Sequence, residues 1–407
     1  MKYTLNTIRS LEDRFGDSFY IFKEEEFVNN VKEFSASFKK YYKNTVLGYS
    51  YKTNYIPAIC KVANELGVHA EIVSEMELLI AKKLSVQPKH IIYNGPYKTE
   101  GSIRYCLENE SLLNIDNLSE IDVIEKIVSE RSDFNYKIGI RINADLKDGY
   151  SSRFGFDPDS LEFAVAINKI KAIKNLKING LHLHSTRPDK SIRSFIKRLE
   201  LLNTIRETYL SEELEYIDIG GGFYGKMDDN IKTQFGDMYI PSFEEYGAEI
   251  SKLMKKFFPD ERVKLIIEPG VALTVNILDF VCKITDIKTI LGKKIATCSG
   301  SFHNVKPSGH LKNLSLNVLS TLNNNEEPDK FDICGYTCLE NDILYKDYKG
   351  ILHKNDFCIF ENVGAYTVVF KPPFIKLAPP IVKTSNGTTD ILRYQEKFED
   401  VFKSFNF

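Results

Sequence analysis

Several side chains with distinct chemistry each stand directly after a short apolar segment of the chain. A lysine amine can form a Schiff base with an aldehyde, and an imidazole can stack on a flat ring. Glycine amides can bind a phosphate, and a carboxylate can pair with a protonated ring nitrogen. The residues placed in this way are Lys52, His184, Gly220, Gly221, Gly222 and Glu268.

Each of these residues also has an ordinary structural explanation. The chain holds 54 lysine and arginine residues, and a lysine at a strand end commonly packs its stem while its ammonium stays in water. The glycine triplet can be a tight turn, His184 a hydrogen-bonded core histidine and Glu268 a strand end before Pro269. The choice depends on whether the fold brings these groups together.

Short apolar runs alternate with longer amphipathic stretches between about residues 30 and 275. This alternation predicts parallel βα units closed into a (β/α)8 TIM barrel, with a doubly wound sheet as the alternative. The predicted strands are 45–49, 69–73, 90–93, 113–115, 136–141, 178–182, 216–219 and 264–268. The predicted helices are 56–66, 75–84, 101–109, 118–130, 159–170, 192–208 and 241–258.

The remainder of the chain has a different pattern. Beyond residue 276, short β-rich segments are separated by turns of glycine, proline and asparagine, and the strand predicted at 18–22 is expected to pair with them. The predicted organisation is an N-terminal strand of the β-domain (1–28), a barrel (29–275) and a C-terminal β-domain (276–407). The β-rich segments are 277–283, 294–298, 357–361 and 366–370.

In a (β/α)8 barrel the reacting groups lie at the carboxyl ends of the strands. Lys52 follows the first predicted barrel strand, His184 the sixth, the glycine triplet the seventh and Glu268 the last. A lysine, an imidazole, a glycine-rich turn and a carboxylate on one rim are the groups that pyridoxal phosphate requires. The sequence therefore predicts a site for this cofactor.

The composition of the chain argues against some classes of binding partner. Acidic residues (56) nearly balance basic ones (54), which argues against nucleic acid or a membrane surface as partner. Apolar runs such as 263–267 are too short to span a bilayer and the N-terminus has no apolar signal region, so a cytoplasmic protein is expected. The seven cysteines form no CxxC pair, and no metal site is predicted.

A set of ordered motifs extends over nearly the whole chain. It resembles the fold-type III pyridoxal-phosphate decarboxylases, the group of diaminopimelate and ornithine decarboxylases, which share the barrel of the alanine racemases. The cofactor-lysine motif is Tyr51-Lys52-Thr53-Asn54. The other motifs lie at 70–77, 94–99, 141–143, 152–155, 180–184, 220–223, 268–270, 335–338 with Asp342, and 364–366.

The resemblance implies a role for each residue. Lys52 binds the cofactor aldehyde, His184 stacks on the ring and Glu268 pairs with the pyridine nitrogen. The glycine triplet and Tyr366 hold the phosphate. Cys338 is the acid that protonates the carbanion and reaches the site from the partner subunit, so a homodimer with shared active sites is implied.

Two other activities remain open on the same scaffold. Alanine racemases place an arginine against the pyridine nitrogen, which makes the ring a weaker electron sink, so the carboxylate of Glu268 favours decarboxylation over racemisation. A non-catalytic relative that only binds the cofactor would be expected to lose the lysine or the cysteine, and this chain keeps both Lys52 and Cys338.

The sequence departs from the family around the predicted phosphate site. The family usually carries an arginine after Glu-Pro-Gly, where this chain has Val271. The missing contact is worth about 1.5–3 kcal/mol if nothing replaces it. Arg187 is a candidate replacement, although a solvent-exposed loop arginine is the simpler interpretation.

Further departures concern the substrate. Diamine-forming members carry an acidic residue after the cysteine, where this chain has Leu339, and leucine cannot compensate a buried ammonium. Glu340 is displaced by one residue and could move in. Lys306 replaces an arginine that binds substrate carboxylate. These features predict that the substrate is an amino acid, free or bound to a carrier, whose side chain has no free distal ammonium. The predicted substrate-binding residues are Arg141, Arg187, Lys306 and Leu339. The alternative is a diaminopimelate decarboxylase that produces lysine.

Overall fold

The structure is a computed structural model that describes residues 3–131, 133–143, 152–185, 189–210, 214–320, 322, 326–370, 373–385 and 387–407. The chain divides into two compact units. The barrel unit comprises Val28–Tyr224 and Tyr239–Leu273. The β unit comprises Met1–Phe27, Gly225–Met238 and Thr274–Phe407.

Helices and strands alternate through the barrel unit, whereas strands dominate the β unit. The helices are α1 (Leu5–Phe15), α2 (Glu24–Lys39), α3 (Pro57–Glu65), α4 (Glu75–Lys83), α5 (Glu100–Glu108), α6 (Leu118–Ser129), α7 (Leu161–Ala172), α8 (Ile192–Tyr209), α9 (Asp229–Thr233), α10 (Phe243–Phe257), α11 (Val271–Thr274), α12 (Phe302–Val305) and α13 (Phe398–Phe402). The strands are β1 (Ser18–Phe22), β2 (Thr45–Ser50), β3 (His69–Ile72), β4 (Ile91–Tyr93), β5 (Leu112–Ile115), β6 (Tyr136–Arg141), β7 (Leu176–His182), β8 (Tyr216–Asp218), β9 (Lys264–Ile267), β10 (Leu278–Ile290), β11 (Lys293–Cys298), β12 (Leu316–Leu319), β13 (Asp329–Cys334), β14 (Ile343–Gly350), β15 (Phe357–Phe360), β16 (Ile381–Ser385) and β17 (Thr388–Arg393).

The barrel unit is a closed parallel barrel in which β2 to β9 follow one another in chain order. The last strand returns to the first, with Leu47 of β2 opposite Ile267 of β9. The predicted (β/α)8 barrel is therefore confirmed, and a doubly wound sheet is excluded because such a sheet has two open edges. Closure places the carboxyl ends of the first and last strands side by side.

Polar residues start six of the barrel helices. Each accepts a hydrogen bond from the backbone amide three residues further on, which satisfies one of the free N–H groups of the first turn. Each helix therefore begins at a defined residue after the preceding strand, and the intervening rim segment has a fixed length. These caps are Ser74, Thr99, Asn117, Ser160, Ser191 and Ser242.

A tyrosine fills part of the barrel centre. Tyr216 packs with Ile92 and Ile266 in one buried cluster. The ring fits because position 180 is glycine: a Cβ there would lie 2.0 Å from a Tyr216 ring carbon. The Tyr216 hydroxyl donates to Asn114 Oδ1 at 2.7 Å, so its polar end is satisfied inside an otherwise apolar layer.

The N-terminal strand lies in the β unit, as predicted. β1 pairs antiparallel with β10 and parallel with β16 in a mixed sheet. The compact β unit also includes residues 225–238, which lie inside the range of 29–275 predicted for the barrel domain. Gln234 of this segment donates to the carbonyl of Asn313 at 2.8 Å and accepts from its amide at 2.8 Å.

The strand predicted at residues 366–370 is wrong. Residues 365–370 form bends and turns, and Tyr366 has a positive φ of 55°. Its ring stacks on Phe370 at 5.5 Å. The run of tyrosine, threonine and valine has strand propensity, but a left-handed residue interrupts the extended backbone that a strand needs.

Within the described residues, no helix has both the length and the apolar character required to cross a bilayer.

Candidate active site

The predicted cofactor lysine lies at the carboxyl end of β2. A short 3₁₀ turn over Tyr51–Thr53 carries Lys52 over the rim. Its Nζ lies 2.5 Å from Oε2 of Glu71, which lies in β3 and has a side chain that is 1% exposed. The ammonium therefore pairs with a buried carboxylate instead of reaching into water, and the interpretation as a snorkelling surface lysine does not describe this geometry.

Asn94 connects two buried carboxylates of the rim. Its amide nitrogen donates to Oε1 of Glu71 at 3.0 Å and to Oε1 of Glu268 at 2.6 Å. Its carbonyl oxygen accepts from Nδ2 of Asn114 at 2.8 Å, and Asn114 in turn accepts from the Tyr216 hydroxyl. Each amide in this chain of bonds has one orientation, so Asn94 presents both of its hydrogens to carboxylates.

Glu268 is the most enclosed carboxylate of the site. It is 1% exposed, its Oε2 lies 3.6 Å from His182 Nε2, and within the described residues no donor reaches Oε2 with ordinary hydrogen-bond geometry. Burial alone would raise the pKa of Glu268, but His182 and Asp218 together hold it below its usual value. This side chain is therefore an anion with one oxygen available inside the barrel.

Asp218 lies beside this anion as a buried acid that favours its neutral form. Burial, and secondly the charge of Glu268, raise the pKa of Asp218 well above its ordinary range. Its Oδ1 accepts from the Gly220 amide at 2.8 Å. His182, Asp218 and Glu268 offer ligand atoms within 4.8 Å of one another, so the neutral form of Asp218 avoids a second buried negative charge next to Glu268.

His184 is held as a neutral ring. The backbone amide of Gly221 donates to its Nδ1 at 2.9 Å. Burial, and then the charge of Lys52, lower the pKa of His184 well below its ordinary value. A neutral imidazole with a fixed tautomer keeps its flat face available for a ring to stack on.

The glycine turn after β8 is packed from two sides. A Cβ at position 220 would lie 2.7 Å from His184 Nδ1, and one at position 221 would lie 2.2 Å from the carbonyl oxygen of Glu268. Gly220 and Gly222 have φ angles of 68° and 105°. Glycine is therefore required here by close approach and by backbone conformation, which makes this turn more than a flexible connection.

Arg141 has a partner within the barrel. It is 6% exposed, and its Nη1 donates to Oδ1 of Asp116 at 3.2 Å. The same oxygen accepts from the amide of Gly155 at 3.2 Å. These contacts hold the guanidinium of Arg141 in place, and its contact with substrate stays a prediction. Arg187, the other predicted substrate arginine, lies outside the described residues.

The predicted residues of the β unit differ widely in exposure. Cys338 is exposed and Leu339 is 38% exposed. Lys306 is 8% exposed and follows the short helix α12, and burial lowers its pKa. Tyr366 is half-buried in the turn described above. Their assembly with the barrel residues stays a prediction.

Sequence reasoning missed several residues of the barrel rim. Glu71, Asn94 and His182 enter the sequence analysis only as members of motifs without a role of their own, and Asp218 belongs to none of the motifs. All four stand at, or directly after, the carboxyl ends of barrel strands, so the positional rule that identified Lys52 also points to them. What the rule does not provide is which of them bond to one another.

Comparison with known proteins identifies the family. Residues 28–275 match the family described as "Pyridoxal-dependent decarboxylase, pyridoxal binding domain". The chain is 23% identical to the diaminopimelate decarboxylase of Aquifex aeolicus over 97% of its own length and 92% of that protein. It is 26% identical to that of Methanocaldococcus jannaschii over 96% and 91%, respectively.

A solved structure shows the same fold. The crystal structure of diaminopimelate decarboxylase from M. jannaschii in complex with L-lysine superposes with a TM-score of 0.84 at 24% identity, covering 98% of this chain and 94% of that one. The chain belongs to the pyridoxal-dependent decarboxylase family. It is a pyridoxal-phosphate-dependent carboxy-lyase that acts on an amino acid.

The residues of the barrel rim fit this cofactor. When bound, pyridoxal phosphate provides an electron sink for the electron pair left on Cα as CO2 departs. Lys52 offers the amine, and the neutral ring of His184 offers a stacking surface. The available Oε2 of Glu268 is the natural partner for a protonated pyridine nitrogen, because it is a buried anion without a donor among the described residues.

Proposed function

We propose that this enzyme removes the α-carboxyl group of an amino acid whose side chain lacks a free distal ammonium. The side chain would be acidic, acylated or joined to a carrier, as in a specialised biosynthetic pathway. The observation that carries the proposal is Leu339, an apolar residue directly after the predicted acid Cys338. An ammonium facing leucine in a closed site would lose its hydration without gaining a partner.

A second acid of this loop, Asp342, is already engaged in hydrogen bonds within the protein. Asp342 accepts from the amide and hydroxyl of Thr337 at 3.0 and 2.6 Å and from the amide of Phe302 at 2.7 Å. A side chain at position 335 would collide with it, since a Cβ there would lie 2.2 Å from Oδ2. Asp342 therefore holds the loop together, which supports its exclusion as a partner for a substrate cation.

The proposed roles divide between the two units. Lys52 would hold the cofactor through its amine, while His184 would keep the ring in place by stacking. Glu268 remains ionised, so it keeps a proton on the pyridine nitrogen. Cys338 delivers a proton to Cα after CO2 has left. Lys306, a buried cation with a lowered pKa, is proposed to bind an anionic or polar group of the substrate.

Diaminopimelate decarboxylation is the second candidate. It is favoured by the names of the relatives that match over nearly the full chain. Diaminopimelate carries a carboxylate beside its distal ammonium, so the two candidates differ in how that ammonium would be compensated. A direct comparison of substrates distinguishes them.

The test is CO2 release by the purified enzyme from a matched panel of amino acids. The panel contains glutamate, glutamine and Nε-acetyl-lysine on one side, and lysine, ornithine and meso-diaminopimelate on the other. The proposal requires the largest kcat/KM in the first group. A preference for meso-diaminopimelate would establish the second candidate, and deuterium uptake at Cα without CO2 release would establish a racemase.

A substitution sharpens this test. Leu339→Glu is expected to raise kcat/KM for ornithine and lysine by about tenfold, because it restores an anion for the distal ammonium. Leu291→Glu is the matched control, since Leu291 is fully exposed in the turn between β10 and β11. If Leu339→Glu has the same substrate preference as wild type, Leu339 does not determine the specificity.

We also propose a homodimer with shared active sites, located in the cytoplasm. The exposure of Cys338 supports the first part, because a proton donor that acts in a partner's site must extend from its own fold. The free thiols in the described residues agree with a reducing compartment. Sedimentation of the purified enzyme tests the dimer directly.

A further inference from the structure

A buried arginine lies behind the glycine turn of the barrel unit. Arg198 of α8 is 1% exposed. Its Nη1 donates to the carbonyl oxygens of Ile219 at 3.1 Å and Gly221 at 2.9 Å, and its Nη2 donates to that of Ser185 at 3.4 Å. The guanidinium thus contacts both rim segments that follow β7 and β8.

Aromatic packing holds this arginine in one orientation. Its guanidinium carbon lies 4.2 Å from the ring centroid of Phe195, one turn earlier on α8. Phe195 stacks in parallel on Phe223, which directly follows the glycine turn, with ring centroids 4.2 Å apart. The helix, the arginine and the turn are therefore connected through side chains as well as through hydrogen bonds, and little freedom is left to the guanidinium.

These bonds determine where the amides of the turn point. The amide of Gly220 donates to Asp218 and that of Gly221 to His184, so both are used within the site. The carbonyl and the following N–H of a trans peptide point in opposite directions. The bond from Arg198 to the Gly221 carbonyl therefore turns the Gly222 amide away from α8.

The turn consequently has the properties of an anion site. The outward Gly222 amide provides a directional donor, and the guanidinium behind the same peptide provides a charge that does not titrate near neutral pH. The turn approaches its neighbours less closely at position 222 than at 220 or 221: a Cβ at 222 would make ordinary contacts, with Ser185 O at 3.5 Å and Arg198 Nη2 at 3.8 Å.

We propose that Arg198 is the positioning residue that makes this turn a binding site for the phosphate of the cofactor. It orients the Gly221–Gly222 peptide and provides buried positive charge next to it, while Val271 contributes none. The contribution of Arg198 is therefore specific to the phosphate and not to the pyridine ring. This inference requires that the enzyme binds pyridoxal phosphate, and it does not depend on which amino acid is the substrate.

The decisive experiment compares two ligands that differ only in the phosphate. Apo enzyme is titrated with pyridoxal phosphate and with pyridoxal, and each Kd is taken from the visible absorption of the lysine-bound form. In Arg198→Gln the preference for the phosphorylated ligand is expected to fall at least about tenfold, a loss of about 1.4 kcal/mol. The Kd for pyridoxal is expected to stay within about threefold of wild type.

A matched control and a conservative variant complete the design. Arg193→Gln removes an exposed arginine from the first turn of α8 and should leave the preference unchanged. Arg198→Lys keeps the charge but not the two-pronged donor, so an intermediate preference is expected. Should Arg198→Gln fail to fold, the lysine variant decides the question.

The outcomes separate a phosphate role from a general one. Equal weakening of both ligands, or an unchanged preference in the folded variants, would overturn the proposal and leave Arg198 as an ordinary structural clamp. Inorganic phosphate offers a second measurement without cofactor: it should raise the melting temperature of wild-type apo enzyme more than that of Arg198→Lys. Failure of the enzyme to decarboxylate any amino acid would leave these binding results unaffected.

Discussion

The carboxyl rim of the barrel and the loop at residues 335–342 of the β unit are built in opposite ways. On the rim, Glu71 and Glu268 are each 1% exposed, and they are bridged by the amide of Asn94. In the loop, Cys338 and Leu339 are exposed, and the hydrogen bonds of Asp342 hold the backbone while leaving these side chains outward.

The difference follows from the cost of burying charge. A buried anion needs donors within the protein, so every group of the rim depends on its neighbours and few substitutions are neutral. An exposed side chain is solvated and can change with little effect on folding. Folding stability thus constrains the residues of the rim, whereas the exposed residues of the loop can be substituted with little effect on stability.

The largest expected effect comes from removing the amine of the rim. Lys52→Ala should abolish the visible absorption of the lysine-bound cofactor and reduce kcat by about 10³-fold or more, because no covalent attachment is possible. The measurements are an absorption spectrum and a CO2-release assay. Borohydride treatment of wild type followed by peptide mapping should place the label on Lys52, and a coloured, active Lys52→Ala would show that another amine holds the cofactor.

Removing the thiol of the loop should give a different phenotype. Cys338→Ala is expected to keep the colour and the melting temperature of wild type but to lose about 10²–10³-fold in turnover, because only proton delivery is removed. Normal turnover in this variant would assign the proton to another group.

Mixing the two variants tests whether the rim and the loop of one site come from different subunits. In a mixed dimer of Lys52→Ala and Cys338→Ala, one of the two sites would hold both native residues, so random mixing should restore about a quarter of wild-type activity. Continued inactivity after mixing would place the lysine and the cysteine of one site on the same subunit.

A smaller effect, on stability, is expected at the bridge between the two carboxylates. Asn94→Ala removes a donor from both Glu71 and Glu268 and should lower the free energy of unfolding by about 2–4 kcal/mol. Urea unfolding of the apo enzyme measures this loss of stability.

Two controls accompany this variant. Asn109→Ala removes an exposed amide that donates to the Tyr105 carbonyl. Leu339→Ala should change the free energy of unfolding by less than about 0.5 kcal/mol. Equal losses in all three variants would contradict the contrast between the two regions.

A further effect on stability, which depends on pH, is expected at the edge of the rim. Burial raises the pKa of Glu77 from its ordinary 4.5 to about 7. Between these values the folded state keeps a proton that the unfolded state has lost, so Glu77 makes stability fall as pH rises from 4.5 to 7. Glu77→Gln should remove this decline, worth up to about 3 kcal/mol at pH 8.

The glutamine side chain can still accept the hydrogen bond that the Val73 amide donates to Glu77 at 2.7 Å, so the comparison isolates the titration. Glu75→Gln, an exposed acid in the same helical turn, is the control. Unfolding free energies at pH 5 and pH 8 measure the effect. A pH dependence identical to that of wild type in Glu77→Gln would assign the decline to another group.

Local pattern was sufficient for much of the barrel. The predicted strands agree with β2 to β9 to within a few residues, because strands buried on both faces appear as continuous apolar runs and are followed by helices with polar caps. The strands of the β unit were harder to predict from the sequence. Its strands β12, β13, β14, β16 and β17 were not predicted, since their half-exposed residues show weaker alternation.

The sequence by itself determined which residues stand at strand ends, and hence that Lys52, His184 and Glu268 share one rim. Only the tertiary structure decided their partners. Lys52 and Glu268 approach because β9 closes on β2, where Ser50 Oγ donates to the Glu268 carbonyl at 3.1 Å. The physical reason is that propensity and periodicity act over a few residues, whereas the pairing of buried charges depends on barrel closure and strand register, which arise from the whole chain.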